Sequence, residues 1–337
     1  MKGRRLLTLV GGICLILVLA ALPFMTACAA PPAEKIVLKA VTAWPSTTVE
    51  AKDFLKFVDK VNTEAEQKYP GELEIQYLGG PEAIPTKDQA EAVRTGTIDM
   101  NLTSDAYYAG IAPVVNAMKL TQLTPWEERE SGAYDLLNEI HQEQLNCFYL
   151  GRLGSDIPFQ LYLNVKVEKP ADLAELNIRV SPMYIDFMNA LGATPVETSP
   201  VDVYTAIERG TVDGYCWPAV GIRDWGWEEV TKYVVGPSFY NVVHEVLVNL
   251  DTWNRIPGHL QDFLIDTMKE SEHEIVAESQ ELLAAEPAIL KEKGLEFIEF
   301  SPADTKWYYD LAYSAAWEGI TKKAPEDAPK LRELISK

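Results

Sequence analysis

The chain has 337 residues and carries 50 acidic against 30 basic side chains, which gives a formal net charge of −20 at pH 7. Such an acidic balance argues against binding to nucleic acid or to anionic membranes, because both require a basic surface. The length suffices for one large domain or two ordinary ones.

The first 27 residues are typical of a secretory signal peptide. A basic N-terminus precedes an apolar run at 6–22, and Met25-Thr26-Ala27 leads to Cys28. This ending resembles a bacterial lipobox, which predicts cleavage before Cys28 and lipidation of that residue. The alternative is an uncleaved membrane anchor, since the apolar run is nearly long enough to span a bilayer. Either way we expect an extracytoplasmic protein, with residues 28–34 as its tether.

The first half of the remaining chain predicts alternating strands and helices. Strands are expected at 36–41 and 72–77, followed by a third strand that reaches residue 104 and by two more at 145–151 and 159–165. One helix is expected to begin at residue 48, and others are expected at 86–95 and 126–144. Residues 152–158 are predicted to cross between two lobes. Cys147 and Cys216 are expected to remain free thiols, although their pairing in an exported protein is the alternative.

A faint internal repeat relates residues 88–103 to residues 202–217. Aligned without gaps, both segments place a glycine after a helix and an aspartate three residues further on: Gly96 with Asp99, and Gly210 with Asp213. The repeat predicts two lobes of similar plan, each of which offers the end of one strand to a shared cleft.

Residues 176–218 alternate short β-rich runs, at 177–180, 194–198 and 211–217, with helical segments, which predicts βαβ units and a parallel sheet. Ligands bind beyond the carboxyl ends of such strands, where Arg179 and the Tyr215-Cys216-Trp217 run fall. An arginine in an apolar strand is costly unless an anion meets it, and a carboxylate can do so through two hydrogen bonds. An internal ion pair with an aspartate or glutamate is the alternative.

The same segment resembles the solute-binding proteins of tripartite ATP-independent periplasmic (TRAP) transporters. The matching runs are Ile178-Arg179-Val180 with the preceding Asp172-Leu173, then Leu191-Gly192-Ala193-Thr194-Pro195-Val196, and then Val203-Tyr204 through to Val212-Asp213-Gly214. Compatible patterns extend from about residue 35 to the C-terminus.

This resemblance implies a two-lobe α/β fold of the type II periplasmic-binding-protein kind. Lobe I would comprise residues 35–155 plus about 245–275, and lobe II residues 156–244 plus about 276–337. The run at 242–250 resembles the strand that returns to the first lobe. The helical pattern at 260–287 resembles a long helix that spans both lobes, and Pro287 is expected to end or kink it.

The resemblance also implies that Arg179 clamps the carboxylate of a ligand. Phe159 stands where the family often has a second arginine, and Trp217 where it often has an asparagine. Both departures add aromatic surface, which favours a monocarboxylate with an apolar or aromatic body, including 2-oxo and 2-hydroxy acids. Alternatives are a receptor for a four-carbon dicarboxylate and a sensory lipoprotein. Further ligand contacts are expected from Tyr215, Trp44, Thr103, Ser104, Gln160 and His244.

The sequence contains no Gly-x-Ser-x-Gly, P-loop or Gly-x-Gly-x-x-Gly motif. His244-Glu245 begins like a zinc-protease motif, but Val248 stands where the second histidine is required. Some relatives hold a metal ion through a carboxylate at a strand end, and the corresponding run at 215–217 has none. We therefore expect no enzyme and no cofactor, but a receptor that delivers its ligand to TRAP membrane permease subunits. A secreted enzyme with an unrecognised nucleophile is the rival hypothesis.

Overall fold

The computed structural model describes residues 35–336, so the predicted signal peptide, the tether and Cys28 lie outside the described residues. Within this part of the chain, eleven strands form two sheets. No helix among residues 35–336 combines the length and the apolar character needed to cross a membrane.

The first sheet has the strand order β2-β1-β3-β10-β4. Its members are β1 (Ile36–Thr42), β2 (Leu73–Gly79), β3 (Met100–Ser104), β4 (Cys147–Gly154) and β10 (His244–Asn249). β1 runs parallel to β2 and β3, whereas β10 pairs antiparallel with both β3 and β4. The predicted return of the 242–250 segment to the first sheet is therefore confirmed.

The second sheet has the strand order β11-β9-β5-β8-β6-β7. Its members are β5 (Pro158–Leu163), β6 (Asn177–Val180), β7 (Thr194–Glu197), β8 (Gly214–Pro218), β9 (Tyr233–Asn241) and β11 (Glu296–Glu299). β6 is parallel to β7 and β8, which confirms the predicted βαβ units, and β5 is antiparallel to β8 and β9.

Helices cover both sheets. They are α1 (Val49–Lys68), α2 (Gln89–Arg94), α3 (Pro125–Ser131), α4 (Ala133–Leu145), α5 (Ile185–Ala190), α6 (Val203–Glu208), α7 (Leu250–Arg255), α8 (Gly258–Glu292), α9 (Pro302–Lys323) and α10 (Ala328–Ile335). The single helix predicted at 126–144 is in fact α3 followed by α4. Gly132 separates them because it adopts a left-handed conformation with φ of 87°, which no helix continues through.

α8 is the long helix that the sequence predicted, and its 35 residues span about 50 Å at 1.5 Å per residue. It packs against both α1 and β4. Pro287 was expected to end or kink this helix, and it does not end it, since the helix continues to Glu292. Leu290, beyond the proline, is buried in a hydrophobic cluster that also contains Val234 of β9. Burial of an aliphatic side chain offsets the hydrogen bond that a proline cannot donate.

The internal repeat corresponds to a repeated backbone arrangement. Gly96 and Gly210 have φ values of 73° and 67°, each directly after a short helix and its cap. Asp99 then accepts a hydrogen bond from the amide of Lys39 on β1, and Asp213 accepts one from the amide of Asn177 on β6, at 2.9 and 2.8 Å. The same turn thus anchors β3 and β8 to the strand beside each of them.

Candidate ligand-binding cleft

A cleft lies between residues of the two sheets and has two connected parts. The outer chamber, of about 520 Å³, is lined by residues 81, 85–88 and 106–107 on one side and by residues 179, 181–182 and 197–201 on the other. The inner chamber, of about 20 Å³, is lined by residues 44, 50, 104, 106–107 and 244 on one side and by residues 159, 181, 183–184 and 217–218 on the other. Residues 106, 107 and 181 line both chambers, and the inner one has room for about one water molecule.

Arg179 is the buried cation of the outer chamber. It lies on β6 between Val196 of β7 and Tyr215 of β8, and only 1% of it is exposed. Its Nε and Nη2 donate to the carbonyl oxygen of Thr198 at 3.1 and 2.6 Å, while Nη1 has no partner among residues 35–336. Burial lowers the pKa of Arg179, but a guanidinium remains charged in a protein.

Among the described residues, no acidic side chain forms an ion pair with Arg179, so the alternative of an internal ion pair finds no support there. A buried charge without a counterion is costly by several kcal/mol. The outer chamber therefore presents an arginine whose missing partner is an anion.

Aromatic side chains form the walls of the inner chamber. The ring of Trp217 lies 5.8 Å from Cζ of Arg179, and its Nε1 has no hydrogen-bond partner within residues 35–336. Phe159 meets Tyr184 edge to face with ring centroids 5.2 Å apart, and Trp44 lies 4.5 Å from the imidazole of His244. These rings close the inner end of the cleft, so the body of a ligand would lie in the outer chamber and contact them at its inner end.

The structure brings six of the nine predicted ligand-binding residues to the cleft. One, Arg179, lines the outer chamber, and the other five line the inner chamber: Trp217, Phe159, Trp44, Ser104 and His244. Trp44 follows β1 and the others lie on β3, β5, β6, β8 and β10, which explains why their sequence positions are so widely spaced.

The other three residues do not line either chamber, which corrects the expectation for them. Tyr215 shares a face of β8 with Trp217 but lies two residues deeper, where its hydroxyl bonds to Thr231 at 2.8 Å. Gln160 points to the other side of β5 from Phe159 and lines a separate cavity near residues 236–238. Thr103 is fully buried in the middle of the first sheet, opposite Glu245.

Sequence reasoning missed Glu50, which lines the inner chamber and is only 3% exposed. It lies in the first turn of α1, just after the capping residue Thr48. Burial raises the pKa of Glu50 to about 7, although its own backbone amide and the Thr48 hydroxyl act in the opposite direction. Its Oε2 has no hydrogen-bond partner in the described part of the chain. The available signal was that α1 begins directly after the end of β1, so that its first turn faces the cleft.

A buried polar chain lies behind the inner chamber. Nδ1 of His141 is 2.6 Å from the carbonyl oxygen of Leu137, so it carries a proton and donates, which leaves Nε2 to accept from the Tyr108 hydroxyl at 2.9 Å. The Tyr108 hydroxyl also bonds to the carboxyl group of Glu245. Burial raises the pKa of Glu245 well above its usual value and lowers that of His141 to about 4, so His141 is neutral at pH 7. The Tyr108 hydroxyl has one hydrogen and lies within reach of both acceptors, Nε2 of His141 and the Glu245 carboxyl group.

Burial likewise lowers the pKa of His244 to about 3, and this predicts a pH dependence of stability. An unfolded chain takes up a proton at this histidine near pH 6.5, whereas the folded protein does not, so the contribution of His244 falls as the pH drops from 6.5 towards 3. The difference in unfolding free energy between wild type and His244→Gln should change by about 1.4 kcal/mol per pH unit between pH 6 and 4. Urea unfolding at several pH values measures it, with His141→Gln as a second case. A constant difference would contradict a neutral, buried His244.

Within residues 35–336, no group of three or more histidine, cysteine, aspartate or glutamate side chains is placed to hold a metal ion. Cys147 and Cys216 are buried free thiols, which confirms the expectation for them. Burial raises the pKa of the Cys147 thiol to about 12 and that of Cys216 further, so neither is a reactive thiolate at neutral pH.

Comparison with known proteins gives consistent results. The model of the family DctP, bacterial extracellular solute-binding protein family 7, matches residues 40–316. The 2,3-diketo-L-gulonate-binding periplasmic protein YiaO of Escherichia coli (strain K12) is 24% identical over 288 residues, covering 82% of this chain and 85% of that protein.

Two solved structures show the same fold. A TRAP periplasmic solute binding protein from Desulfovibrio salexigens with bound orotic acid has a TM-score of 0.79 and 20% identity, covering 89% of this chain and 97% of that one. DctP7, an extracytoplasmic solute receptor of Bordetella pertussis binding pyroglutamic acid, has a TM-score of 0.78 and 16% identity, covering 90% and 100%. These likenesses confirm the predicted two-lobe type II α/β fold. Since the family match spans most of residues 35–336, the chain belongs to family 7 of the bacterial extracellular solute-binding proteins, the solute-binding proteins of TRAP transporters.

Proposed function

We propose that this protein is the extracytoplasmic receptor through which a TRAP transporter captures a monocarboxylate. The observation that carries the proposal is Arg179, a buried guanidinium with an unpaired Nη1 and no acidic partner among residues 35–336. A carboxylate in the outer chamber would supply the missing charge and would accept from the guanidinium in the bidentate manner that this group favours.

Three of the relatives support an acid with one carboxyl group, whereas two others bind C4-dicarboxylates and L-malate, which have two. The three proteins compared above are named for 2,3-diketo-L-gulonate, orotic acid and pyroglutamic acid, each of which has a single carboxyl group. The outer chamber, of about 520 Å³, has room for the uncharged remainder of such a molecule, and the aromatic side chains lie at its inner end.

A four-carbon dicarboxylate is the second candidate, because Lys87 also lines the outer chamber. The Nζ of Lys87, however, already pairs with Glu197 at 3.0 Å, and this exposed pair leaves little net charge for a second carboxylate. The monocarboxylate therefore fits the charges of the chamber better.

A thermal-shift screen of the purified protein tests the proposal. The panel contains 2-oxo and 2-hydroxy monocarboxylates, aromatic acids, four-carbon dicarboxylates and sialic acid, each with and without a chelator. A ligand at 100 times its dissociation constant adds about 2.7 kcal/mol to the free energy of unfolding, which is readily detected. Stabilisation by monocarboxylates supports the proposal, whereas a preference for dicarboxylates selects the second candidate. If no acid raises the melting temperature, the protein is not an organic-acid receptor.

The proposal includes a division into lobes and a membrane tether. Lobe I would hold the first sheet (residues 35–155 plus about 245–275) and lobe II the second (residues 156–244 plus about 276–337), and a ligand that contacts both would favour the closed state. Lipidated Cys28 would hold the protein at the membrane beside the permease subunits. Neighbouring genes for two permease subunits would support transport, whereas a neighbouring gene for a histidine kinase would support sensing. Turnover of the bound acid would show that the protein is an enzyme.

A further inference from the structure

Glu50 stands out among the buried polar groups that the arginine site does not use. It lines the inner chamber, is 3% exposed and leaves Oε2 without a partner among residues 35–336. The hydrogen bonds that the Glu50 carboxylate receives from its own amide and from the Thr48 hydroxyl leave Oε2 without a partner. The amide of Val49 already donates to Asp224 at 2.8 Å, and that of Ala51 donates to the Thr48 hydroxyl. A buried carboxyl oxygen without a donor is costly, so its retention needs another reason.

The second unsatisfied group of the inner chamber is Nε1 of Trp217, a hydrogen-bond donor without an acceptor in the described chain. It lies beside Glu50. A methyl group built on Gly221 would be 3.6 Å from Trp217 Nε1 and 3.8 Å from Glu50 Oε1, so the two side chains are neighbours. One unpartnered acceptor and one unpartnered donor therefore belong to adjacent side chains that both line the chamber.

Few groups satisfy both partners at once. A hydroxyl can donate to Glu50 and accept from Trp217, whereas an ammonium only donates and a second carboxylate only accepts. The inner chamber holds about 20 Å³, which suits one hydroxyl oxygen. Trp217 also connects the two ends of the cleft, because its ring lies 5.8 Å from the Arg179 guanidinium.

We propose that Glu50 and Trp217 form a hydroxyl-binding subsite, so that the ligand is a hydroxy-monocarboxylate with its carboxylate on Arg179 and a hydroxyl between Glu50 Oε2 and Trp217 Nε1. This inference rests on the proposed function and narrows its ligand class. Glu50 acts as a specificity-determining residue, because a dicarboxylate would place a second anion beside a buried acid.

Calorimetry on the purified protein at pH 8, above the pKa of Glu50, tests the subsite. The probes are linear monocarboxylates of increasing chain length whose far end carries a methyl, hydroxyl, ammonium or carboxylate group. We expect one hydroxyl-capped acid to bind at least about tenfold tighter than its methyl-capped counterpart, the scale of a hydrogen bond to a charged group. This ratio should fall to about one in Glu50→Met and decrease in Trp217→Phe, which keeps an aromatic ring but loses the donor.

Asp53→Asn is the matched control, since it removes a buried acid one turn further along α1 that lines a different cavity. This control should leave the hydroxyl-to-methyl ratio unchanged. If Glu50 had only a structural role, Glu50→Met would change the melting temperature but not this ratio. Equal binding of all caps, or a preference for ammonium or carboxylate caps, overturns the subsite. If Arg179→Ala then still abolishes binding of every acid, the proposed function stands without the subsite. If no acid binds the wild type, both fail.

Discussion

Replacing Arg179 with alanine is expected to weaken binding of the organic acid by about 2–5 kcal/mol, the scale on which removal of one partner of a buried charge pair acts. The reason is the environment of the guanidinium, which belongs to a residue 1% exposed and has, within residues 35–336, only the Thr198 carbonyl oxygen as a hydrogen-bond acceptor before a ligand binds. In so little water the attraction between guanidinium and carboxylate is weakly screened. Titration calorimetry with the best ligand of the screen measures the loss.

Two variants make this result specific. Arg179→Lys keeps the charge but loses the planar fork, so it should retain only part of the affinity. Arg94→Ala removes an exposed arginine that pairs with Glu91 on α2 and lines neither chamber, and this variant should bind like wild type. Unchanged affinity in Arg179→Ala would mean that the carboxylate is held elsewhere, and the assignment of this residue would be wrong.

The ligand-free Arg179→Ala protein offers a second readout. Its loss of two hydrogen bonds to Thr198 is offset because an uncompensated buried charge disappears. We therefore expect little change in unfolding free energy beside a large change in affinity. This separation is characteristic of residues retained for function, whose local cost the rest of the fold tolerates.

The fold was largely predictable because its determinants are local. Alternating and continuous apolar runs fixed the type of each strand, and the short helices between β6, β7 and β8 implied parallel pairing before any contact was known. The division at Gly132 was missed, and whether α8 ends or continues at Pro287 was left open, for a common reason. Whether a glycine or a proline interrupts a helix depends on tertiary packing, which the local pattern does not contain.

The site was predictable only where a side chain is conspicuous in its own strand. Arg179 is a charge in an apolar run, and Trp217 ends a strand, so each stands out without a partner. Glu50 does not, because an acid in the first turn of a helix is ordinary. Its unusual feature is burial beside Trp217, which arises because the start of α1 packs next to β8 of the second sheet. Gln160 failed for the opposite reason, since alternation along β5 turns it away from the cleft.

The largest expected effect on stability belongs to Arg152, which lies at the end of the first sheet and connects three elements. Its guanidinium pairs with Glu128 of α3 at 2.8 Å, both side chains being at most 2% exposed, and its Nη2 donates to the Leu123 carbonyl oxygen at 2.6 Å. Its backbone amide donates to Glu272 of α8, which also pairs with Arg129. Arg152→Ala should lower the unfolding free energy by about 3–5 kcal/mol, because it leaves the Glu128 carboxylate buried without its partner.

The loss should depend on pH, and its sign follows from Glu128. Burial already raises the pKa of this carboxyl group, against the opposing effect of Arg152, so removing the arginine raises it further. The folded variant then holds a proton that the unfolded chain releases above about pH 4.5, and the loss of stability relative to wild type grows once the pH exceeds the pKa of Glu128 in the folded wild type. Urea unfolding at pH 5 and pH 8 measures this.

A double variant, Glu128→Leu with Arg152→Met, removes both charges and should recover most of the loss. Exposed Arg94→Ala should change stability by less than about 0.5 kcal/mol. If Arg152→Ala were equally mild at both pH values, the buried network would not hold α3 and α8 to the first sheet.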